Sequence, residues 1–404
     1  MTLRRAHSET SPPFLANALA LRPWHARLMD SLSEIVEVRW GALKVPMLEP
    51  FGIASGAQTV ADNVWVEVVL RDGTVGLGEA APFPAVNGET SSQVIEALPV
   101  VAGLWIGQPA RDYRRLSAIA REALSMAGAC GVPSALCAVE VALLDALTKH
   151  ARLPLWSFWG GAGQQLERDI TLPTGDEARA RDGARRARAA GFKTVKIKVG
   201  GIDLDTEARR VRAVWKEAPQ LSIILDANAA YSAGEAVALL KAVGGARDRI
   251  VLFEQPTATE DWQGLAEVET LGALPVAADE SARSVPDVVG LIRQGGVSVI
   301  NIKITKAGLL EAWDMVVTAQ AAGLDLMVGG MVETEITMTT SACLAAGRGG
   351  VRYIDLDTTL FLGPRPLSGG FGEAGRLLDL TPIPAGHGVH RQPTNPSPVE
   401  PQHR

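Results

Sequence analysis

The 404-residue chain has little cysteine, no long apolar run and no block of one charge. Its three cysteines, Cys130, Cys137 and Cys343, lack the number and spacing of a disulfide framework or a zinc site, so we expect buried thiols and a reducing compartment, the cytoplasm. No apolar stretch reaches the roughly 18 residues of a membrane span, which argues against a membrane partner. The mild formal charge of −6 and the absence of a basic run argue against nucleic acid, so small molecules are the expected partners.

The composition, 47% apolar and 21% charged, is that of a chain with a large buried core. We expect five parts: a disordered extension over 1–34, an α+β domain over 35–150, a barrel over 151–360, a segment over 361–388 that returns to the first domain, and a disordered tail over 389–404. The two ends are assigned to disorder because they show no regular hydrophobic period. Met29 is an alternative start of translation.

The first domain is predicted to contain a small antiparallel sheet followed by helices. Residues 35–45 and 64–70 have strand composition, and the turn at 71–74 contains Asp72-Gly73, a pair that tolerates positive φ. Residues 93–150 are predicted to be mostly helical. After the start signal Pro133-Ser134, one apolar stripe follows helical spacing, at Leu136, Val139, Leu143 and Leu147.

From about residue 169 short β-branched runs alternate with helical stretches rich in Ala, Arg and Leu. Eight strands are predicted, at 170–173, 194–199, 222–226, 250–254, 276–279, 297–304, 325–332 and 353–357. Eight βα-type strands favour a closed parallel barrel, in which the chemistry lies at the C-terminal ends of the strands.

Three of these strands, consecutive in the chain, end on or just before a carboxylate: Asp226, Glu254 and Asp279. In a closed barrel the three would converge, and three hard oxygen ligands suit Mg²⁺. The alternative is that each acid caps the helix that follows it. Three acids in succession, within Asp-Ala-Asn, Glu-Gln-Pro and Asp-Glu-Ser, favour the metal site.

Lysines end two further strands. Lys196 and Lys198 are two residues apart, so both point to one face, which in a barrel is the interior shared with the carboxylates. Lys303 ends a strand on the other side of the expected metal. Two ammonium groups near one cation should lower each other's pKa, which would provide a neutral base. Lys306, in the next loop, is predicted to be a surface charge.

Together these residues resemble the muconate-lactonizing subgroup of the enolase superfamily, over about residues 35–388. The motifs are Lys196-Ile197-Lys198, Asp226-Ala227-Asn228, Glu254-Gln255-Pro256, Asp279-Glu280-Ser281 and Lys303. The resemblance implies an α/β fold, with an α+β capping domain on a modified TIM-type (β/α)₇β barrel, and a homo-oligomer. It also implies one Mg²⁺ per subunit on Asp226, Glu254 and Asp279.

In that subgroup a lysine removes the α-proton of a carboxylate substrate, and Mg²⁺ stabilises the resulting enediolate. The resemblance assigns the acid/base roles to Lys198 and Lys303, and contact with the substrate carboxylate to Lys196. A lysine on each face of the α-carbon allows 1,1-proton transfer with inversion. One lysine alone would give exchange without inversion.

The last predicted strand places Asp355 and Asp357 on one face, where they would attract a cation. This Asp-x-Asp resembles the dipeptide epimerases of the subgroup, in which it holds the substrate's α-ammonium group. The same resemblance places Thr171, and Met331 and Glu333 within the segment 330–333, along the peptide site.

Substrate preference in this subgroup is tuned by a capping-domain loop, here residues 49–57. No Lys or Arg lies between Lys44 and Arg71, so a local partner for an anionic side chain is absent. Phe51 and Ile53 are apolar, so we expect small or hydrophobic dipeptides; ordinary packing in the capping domain is the alternative for both residues. The other functional candidates are an N-acylamino acid racemase or o-succinylbenzoate synthase-like enzyme, a muconate cycloisomerase, and a non-catalytic Mg²⁺-binding barrel.

Overall fold

A computed structural model describes residues 32–53, 56–84, 88–126, 132–172 and 174–392; the side chains of residues 49–58 are outside this description. Pro173, Cys130 and Met29 lie outside the described residues, whereas Cys137 and Cys343 are buried as predicted. None of the helices in the described ranges combines the length and apolarity of a membrane span.

The first domain begins with an antiparallel meander. Its strands are β1 (Ile35–Ile53), β2 (Gly56–Leu70) and β3 (Val75–Ala80), paired in that order. The predicted turn joins β2 to β3, with Gly73 at φ +86°. The strands β1 and β2 are longer than predicted, because they continue pairing as a hairpin as far as Ile53 and Gly56.

Three helices follow: α1 (Ser91–Trp105), α2 (Tyr113–Ser125) and α3 (Pro133–His150). The helices α1 and α3 pack on the sheet, and α2 packs on α1 and α3. The helix α3 starts at the predicted Pro133. It is buried on almost every side rather than along one stripe, because the sheet, α2 and the barrel all contact it. Even Glu140 and Asp145 on α3 are buried.

The second domain is a nearly closed parallel barrel. Its strands are β5 (Ile170–Leu172), β6 (Thr194–Lys198), β7 (Ser222–Asp226), β8 (Ile250–Glu254), β9 (Val276–Ala278), β10 (Val299–Ile302), β11 (Asp325–Gly329) and β12 (Tyr353–Asp355), hydrogen-bonded in chain order. At the seam between β5 and β12, the Asp169 N–H donates to the Ile354 carbonyl at 2.9 Å. The predicted eight-stranded barrel with a capping domain is thus confirmed.

Helices connect successive strands and cover the barrel. They are α5 (Glu177–Ala189), α6 (Leu204–Glu217), α7 (Ala233–Ala242), α8 (Trp262–Gly272), α9 (Val285–Gln294), the short α10 (Ile304–Ala307) with α11 (Leu309–Ala321), and α12 (Glu335–Arg348). After β12 the chain forms a 3₁₀ turn at Thr358–Phe361 where an eighth helix would begin. This is the (β/α)₇β pattern.

The remaining elements are short. A one-turn helix, α4 (Leu155–Phe158), leads into the barrel, and β4 (Gln165–Glu167) joins a small sheet with β14 (Gly372–Ala374) and β15 (Leu377–Asp379). The strand β13 (Leu367–Gly369) pairs with β16 (Val389–Arg391). This last strand lies within the predicted tail, and Glu34, in the predicted extension, bridges Pro109. The expected disorder is therefore wrong for Glu34 and for residues 389–391, and residues 1–31 and 393–404 lie outside the described residues.

Inward-facing residues of the barrel strands form two layers. The lower layer is apolar and buried: Ile224, Leu252, Ala277, Val299, Met327 and Tyr353. Because side chains alternate along a strand, the next inward positions lie two residues further on. They are Asp226, Glu254, Asp279, Asn301, Gly329 and Asp355. An apolar floor therefore supports a layer of polar side chains at the C-terminal ends of the strands.

Two buried carboxylates anchor the capping domain on the barrel. Glu79 of β3 accepts hydrogen bonds from the backbone N–H of Thr334, at 3.0 Å, and from the Thr337 hydroxyl, at 2.8 Å, at the start of α12. Glu140 of α3 accepts from the Leu310 N–H, at 3.0 Å, at the start of α11. The first N–H groups of a helix lack partners inside the helix and favour negative charge, so both contacts stabilise the domain junction.

A third buried acid gives a pH prediction. Glu89 accepts hydrogen bonds from the N–H and hydroxyl of Ser134 at the start of α3, and burial raises its pKa from 4.5 to about 7. Between these two values the folded protein holds a proton that the unfolded chain has released, so this group's contribution to stability falls as pH rises. We expect the unfolding free energy of the wild type, measured relative to that of Glu89→Gln, to fall from pH 4.5 to 7. Urea unfolding of both proteins across this range measures it, and a constant difference would contradict the prediction.

Candidate active site

The barrel brings the predicted charged residues together at one end. In the strand register Lys198 lies beside Asp226, and Asp226 lies beside Glu254. Asp279 follows the last residue of β9, and Lys303 follows β10. All five side chains are buried, with relative exposures of 7% or less. Charged groups at this depth require partners, and here the partners are one another.

The three carboxylates Asp226, Glu254 and Asp279 are joined by lysine ammonium groups. The Lys196 Nζ lies 3.6 Å from the Asp226 Oδ2 and 3.5 Å from the Glu254 Oε2. Glu254 is fully buried, and its Oε2 has no hydrogen-bond partner among the described residues. A buried carboxylate oxygen that accepts no hydrogen bond and lies between two acids is what a hard divalent cation would use, so this donor set fits Mg²⁺.

Lys198 and Lys303 contact opposite ends of the carboxylate row. The Lys198 Nζ donates to the Asp226 Oδ2 at 2.5 Å and to the Asn228 Oδ1 at 3.1 Å. The Lys303 Nζ donates to the Asp279 Oδ2 at 2.6 Å. Two ammonium groups held by different acids are separated across the barrel mouth.

The expectation that the lysines lower each other's pKa beside a bound metal stays a prediction; in this arrangement the carboxylates determine the pKa of Lys303. Burial alone would lower the pKa of Lys303, but the Asp279 and Glu254 carboxylates outweigh burial and raise it. Conversely, burial and the Asp226 carboxylate raise the pKa of Glu254 to about 8. The lysines contact carboxylates rather than each other, which is why the acids determine the direction of the shift.

Lys306 was predicted to lie on the surface, and this is wrong. Its Nζ donates to the Asp279 Oδ1 and carbonyl, both at 2.6 Å, and to the Asn301 carbonyl at 3.0 Å. The short helix α10 turns the chain back toward the barrel immediately after Lys303, and this places Lys306 under the same acid. Asp279 is thus held by one lysine on each oxygen.

Sequence reasoning also missed the amides that fix this layer. The Gln255 side chain accepts from the Asp279 N–H at 2.9 Å and donates to the Ser281 hydroxyl at 2.8 Å, which ties the end of β8 to the end of β9. The Asn301 Nδ2 donates to the Glu254 Oε1 at 2.6 Å. Gln255 was visible in the Glu-Gln-Pro motif, but its amide partners depend on the loop geometry.

A second acidic group lies beside the first. Asp355, at the end of β12, accepts from the Lys196 Nζ, and the Asp357 Oδ2 accepts from the Thr171 N–H at 2.6 Å. One oxygen each of Asp169, Asp355 and Asp357 lie within 4.8 Å of one another. Asp169 had no role in the sequence-based prediction.

A cavity of about 380 Å³ opens above these residues. Its polar floor includes Lys196, Lys198, Lys303, Asp355 and Asp357, with Thr171 beside them. The capping domain contributes four apolar side chains to the cavity wall, Phe83, Leu124, Val132 and Leu136. It also contributes Ser125 and Arg121, and Arg121 is paired with Glu311.

Comparison with known proteins agrees with this geometry. Residues 35–160 match the family described as mandelate racemase / muconate lactonizing enzyme, N-terminal domain, and residues 179–373 match enolase C-terminal domain-like. The chain is 47% identical over 349 residues to the aromatic dipeptide epimerase of Herpetosiphon aurantiacus, covering 86% of this chain and 96% of that protein. The chain belongs to the enolase superfamily.

Two further relatives of this superfamily member are informative. The hydrophobic dipeptide epimerase of Citrifermentans bemidjiense is 36% identical, over 83% of this chain and 91% of that protein. The crystal structure of a dipeptide epimerase from Enterococcus faecalis, in complex with Mg and L-Leu-L-Tyr, has a TM-score of 0.83 and 33% identity over 88% of this chain and 99% of that one. The resemblance stated from the motifs is confirmed.

Within the superfamily fold, the predicted substrate contacts Met331 and Glu333 differ in their surroundings. Met331 lines the cavity with Gly330 and Val332, but the Glu333 carboxylate accepts from the Met331 N–H at 2.7 Å and from the Thr305 hydroxyl at 3.0 Å. Glu333 is fully buried and shapes its own loop. The side chains of Phe51 and Ile53, predicted to line the substrate site, lie outside the described residues.

Proposed function

We propose that this enolase superfamily member is a Mg²⁺-dependent dipeptide epimerase, an isomerase. The observation that carries the proposal is the placement of Lys198 and Lys303 at opposite ends of one carboxylate row, beside the acidic pair Asp355 and Asp357. The relatives named above act on dipeptides, which agrees with the prediction made from the motifs. We further propose a cytoplasmic homo-oligomer.

Asp226, Glu254 and Asp279 would hold the Mg²⁺. When bound, this ion stabilises the negative charge that develops on the substrate carboxylate as the α-proton leaves. Lys196, which lies between Asp226 and Asp355, is placed to donate to the same carboxylate. Lys198 removes the proton from one face of the α-carbon, and Lys303 delivers a proton to the other face. The α-carbon is thereby inverted.

The two acids Asp355 and Asp357 select a substrate with a free amino group. Both line the cavity, and burial raises the pKa of Asp357, with the neighbouring Asp355 carboxylate as the next cause. A substrate ammonium group placed there would meet two carboxylates, in charged hydrogen bonds of about 1.5–3 kcal/mol each. N-acylamino acids and succinylbenzoate precursors bring no such group.

The apolar wall of the cavity favours hydrophobic side chains. Phe83, Leu124, Val132 and Leu136 face the charged floor from the capping domain. Burying an apolar side chain against such a wall is favourable by about 25 cal/mol per Å² removed from water. Dipeptides with aromatic or branched side chains are therefore the preferred candidates.

A dipeptide library tests the proposal directly. Mg²⁺-loaded protein is incubated in D₂O with each dipeptide, and deuterium at the α-carbon is followed by mass spectrometry and NMR. We expect incorporation and inversion for hydrophobic dipeptides. Incorporation into N-succinylamino acids alone would favour the racemase alternative, and no exchange with any substrate would favour the non-catalytic barrel.

Asp357→Asn tests ammonium recognition. Removing the charge should raise KM for free dipeptides by about 10- to 100-fold, the effect of losing one charged hydrogen bond, with a smaller change in kcat. Steady-state kinetics on matched free and N-acetylated dipeptides measure this. The role assigned to Asp357 would be wrong if the wild type used both forms equally well.

A further inference from the structure

The buried acid Asp169 has no role in the chemistry described so far. It precedes β5, its exposure is 3%, and neither carboxylate oxygen has a hydrogen-bond partner among the described residues. Asp355 and Asp357 are the nearest acids, and burial together with the Asp355 charge raises the pKa of Asp169 well above its usual range. A buried carboxylate that accepts no hydrogen bond is costly; the Lys196 charge offsets part of this cost, and a cation that donates to Asp169 would offset more of it.

The barrel seam fixes Asp169 beside the other two acids. The Asp169 N–H donates to the Ile354 carbonyl, one residue before Asp355, and the Thr171 N–H donates to the Asp357 carboxylate. Arg168 donates to the Leu356 carbonyl at 3.0 Å and so holds the adjoining backbone. Closure of the barrel therefore brings together three acids, Asp169, Asp355 and Asp357, which we call the trio. Asp169 comes just before the first barrel strand, and the other two lie at and just after the end of the last.

The size of the trio fits an ammonium group. One oxygen from each acid lies within 4.8 Å of the others, so a point central to all three is at most about 2.8 Å from each. Charged N–H···O hydrogen bonds are about 2.7–2.9 Å long, whereas Mg²⁺ requires about 2.0–2.1 Å. An ammonium group carries three N–H donors, which equals the number of acids.

We propose that Asp169 is the third carboxylate of the site that recognises the substrate's α-ammonium group. Asp355 and Asp357 receive the ammonium at the cavity wall, and Asp169 accepts the third N–H from behind them. Lys196 also contacts Asp355 and partly neutralises its negative charge. Asp169 would compensate by adding negative charge beside the substrate ammonium group. The inference rests on the proposed dipeptide epimerase function and extends it by one residue.

The test compares two ligands that differ only in the ammonium group: L-Leu-L-Tyr, and 4-methylpentanoyl-L-tyrosine, which has the same skeleton with hydrogen in place of the amine. Binding of each to the Mg²⁺-loaded full chain is measured by titration calorimetry, and α-proton exchange is followed in D₂O. For Asp169→Asn we expect binding of L-Leu-L-Tyr to weaken by about 10- to 100-fold and binding of the analogue to stay within about twofold of wild type.

Thermal unfolding separates recognition from a structural role. Asn has the size of Asp and is uncharged, as is the protonated acid that the raised pKa of Asp169 favours, so Asp169→Asn should unfold at the same or a higher temperature. Asp325→Asn, at an exposed acid paired with Arg352, is the matched control and should leave both affinities unchanged. Asp169→Ser provides a second variant that lacks the charge and should show the same ligand dependence.

The role of Asp169 would be overturned if Asp169→Asn bound both ligands more weakly by the same factor, or if it kept the wild-type preference for L-Leu-L-Tyr over the analogue. A lower unfolding temperature together with equal weakening would indicate a structural acid and would overturn it as well. Failure of the underlying function is distinguishable, since it would appear in the wild type as no exchange with any dipeptide. Failure of the inference would appear only in the Asp169 variants.

Discussion

Lys303→Ala is expected to abolish epimerisation while one-sided proton exchange survives. Lys303 and Lys198 contact different acids, Asp279 and Asp226, so we expect each lysine to serve one face of the substrate. Without Lys303 no proton is delivered to its face, and turnover should fall by roughly 10²- to 10⁴-fold or more. Exchange in D₂O should persist for the stereoisomer whose α-proton faces Lys198.

The reciprocal variant makes this test decisive. Lys198→Ala should lose epimerisation to a similar extent and keep exchange only for the opposite stereoisomer. Lys216→Ala, at a lysine in the last turn of α6 and away from the strand ends, is the control and should retain both reactions. Loss of exchange for both stereoisomers in either active-site variant would contradict the assignment of one lysine to each face.

Much of the barrel could be predicted from the sequence, because its strands are short apolar runs and these same residues are buried in the fold. The strands β7 and β8 have the predicted bounds, since each is a short apolar run that ends on an acid. The strands β6, β9, β10, β11 and β12 were predicted one to three residues too long at the C-terminal end. Those extra residues, such as Asp279 and Lys303, leave the hydrogen-bond ladder to reach the site.

The rest depended on distances between segments that no local pattern encodes. Lys306 has the spacing of a surface loop residue, and only the fold of α10 brings it to Asp279. The polar faces of α3 carry Glu140 and Asp145, which are normally a solvent signal, yet the domain junction buries them. Asp169 acquires its neighbours only when the barrel closes.

The junction between the capping domain and the barrel fixes the position of the cavity wall. The capping domain supplies the apolar cavity wall, and it is fixed to the barrel by Glu79 and Glu140 at the starts of α12 and α11. The acids and lysines of the site and the apolar capping-domain wall therefore lie on different domains. We expect substitutions in the capping domain to alter substrate preference while the acids and lysines of the barrel stay in place.

Glu254→Gln is expected to have the largest effect on the metal. Glu254 is the central acid of the row, and its Oε2, which accepts no hydrogen bond among the described residues, is the clearest candidate ligand atom. A neutral amide supplies one weaker oxygen, so Mg²⁺ affinity should fall by more than the roughly 10- to 100-fold typical of outer-shell partners, with loss of α-proton exchange. Titration calorimetry with Mg²⁺ measures the affinity independently of activity.

Asn301→Leu is the matched control for this prediction, because the Asn301 amide contacts Glu254 at 2.6 Å and is not itself a predicted ligand. It should weaken Mg²⁺ binding within the outer-shell range and therefore less than Glu254→Gln. The pKa of Glu254 is raised to about 8 by burial and by Asp226, so a neutral side chain is already tolerated there and metal-free Glu254→Gln should fold as stably as wild type. Unchanged Mg²⁺ affinity in a folded Glu254→Gln variant would remove Glu254 from the ligand set, and the proposed proton transfer would then lack its source of charge stabilisation.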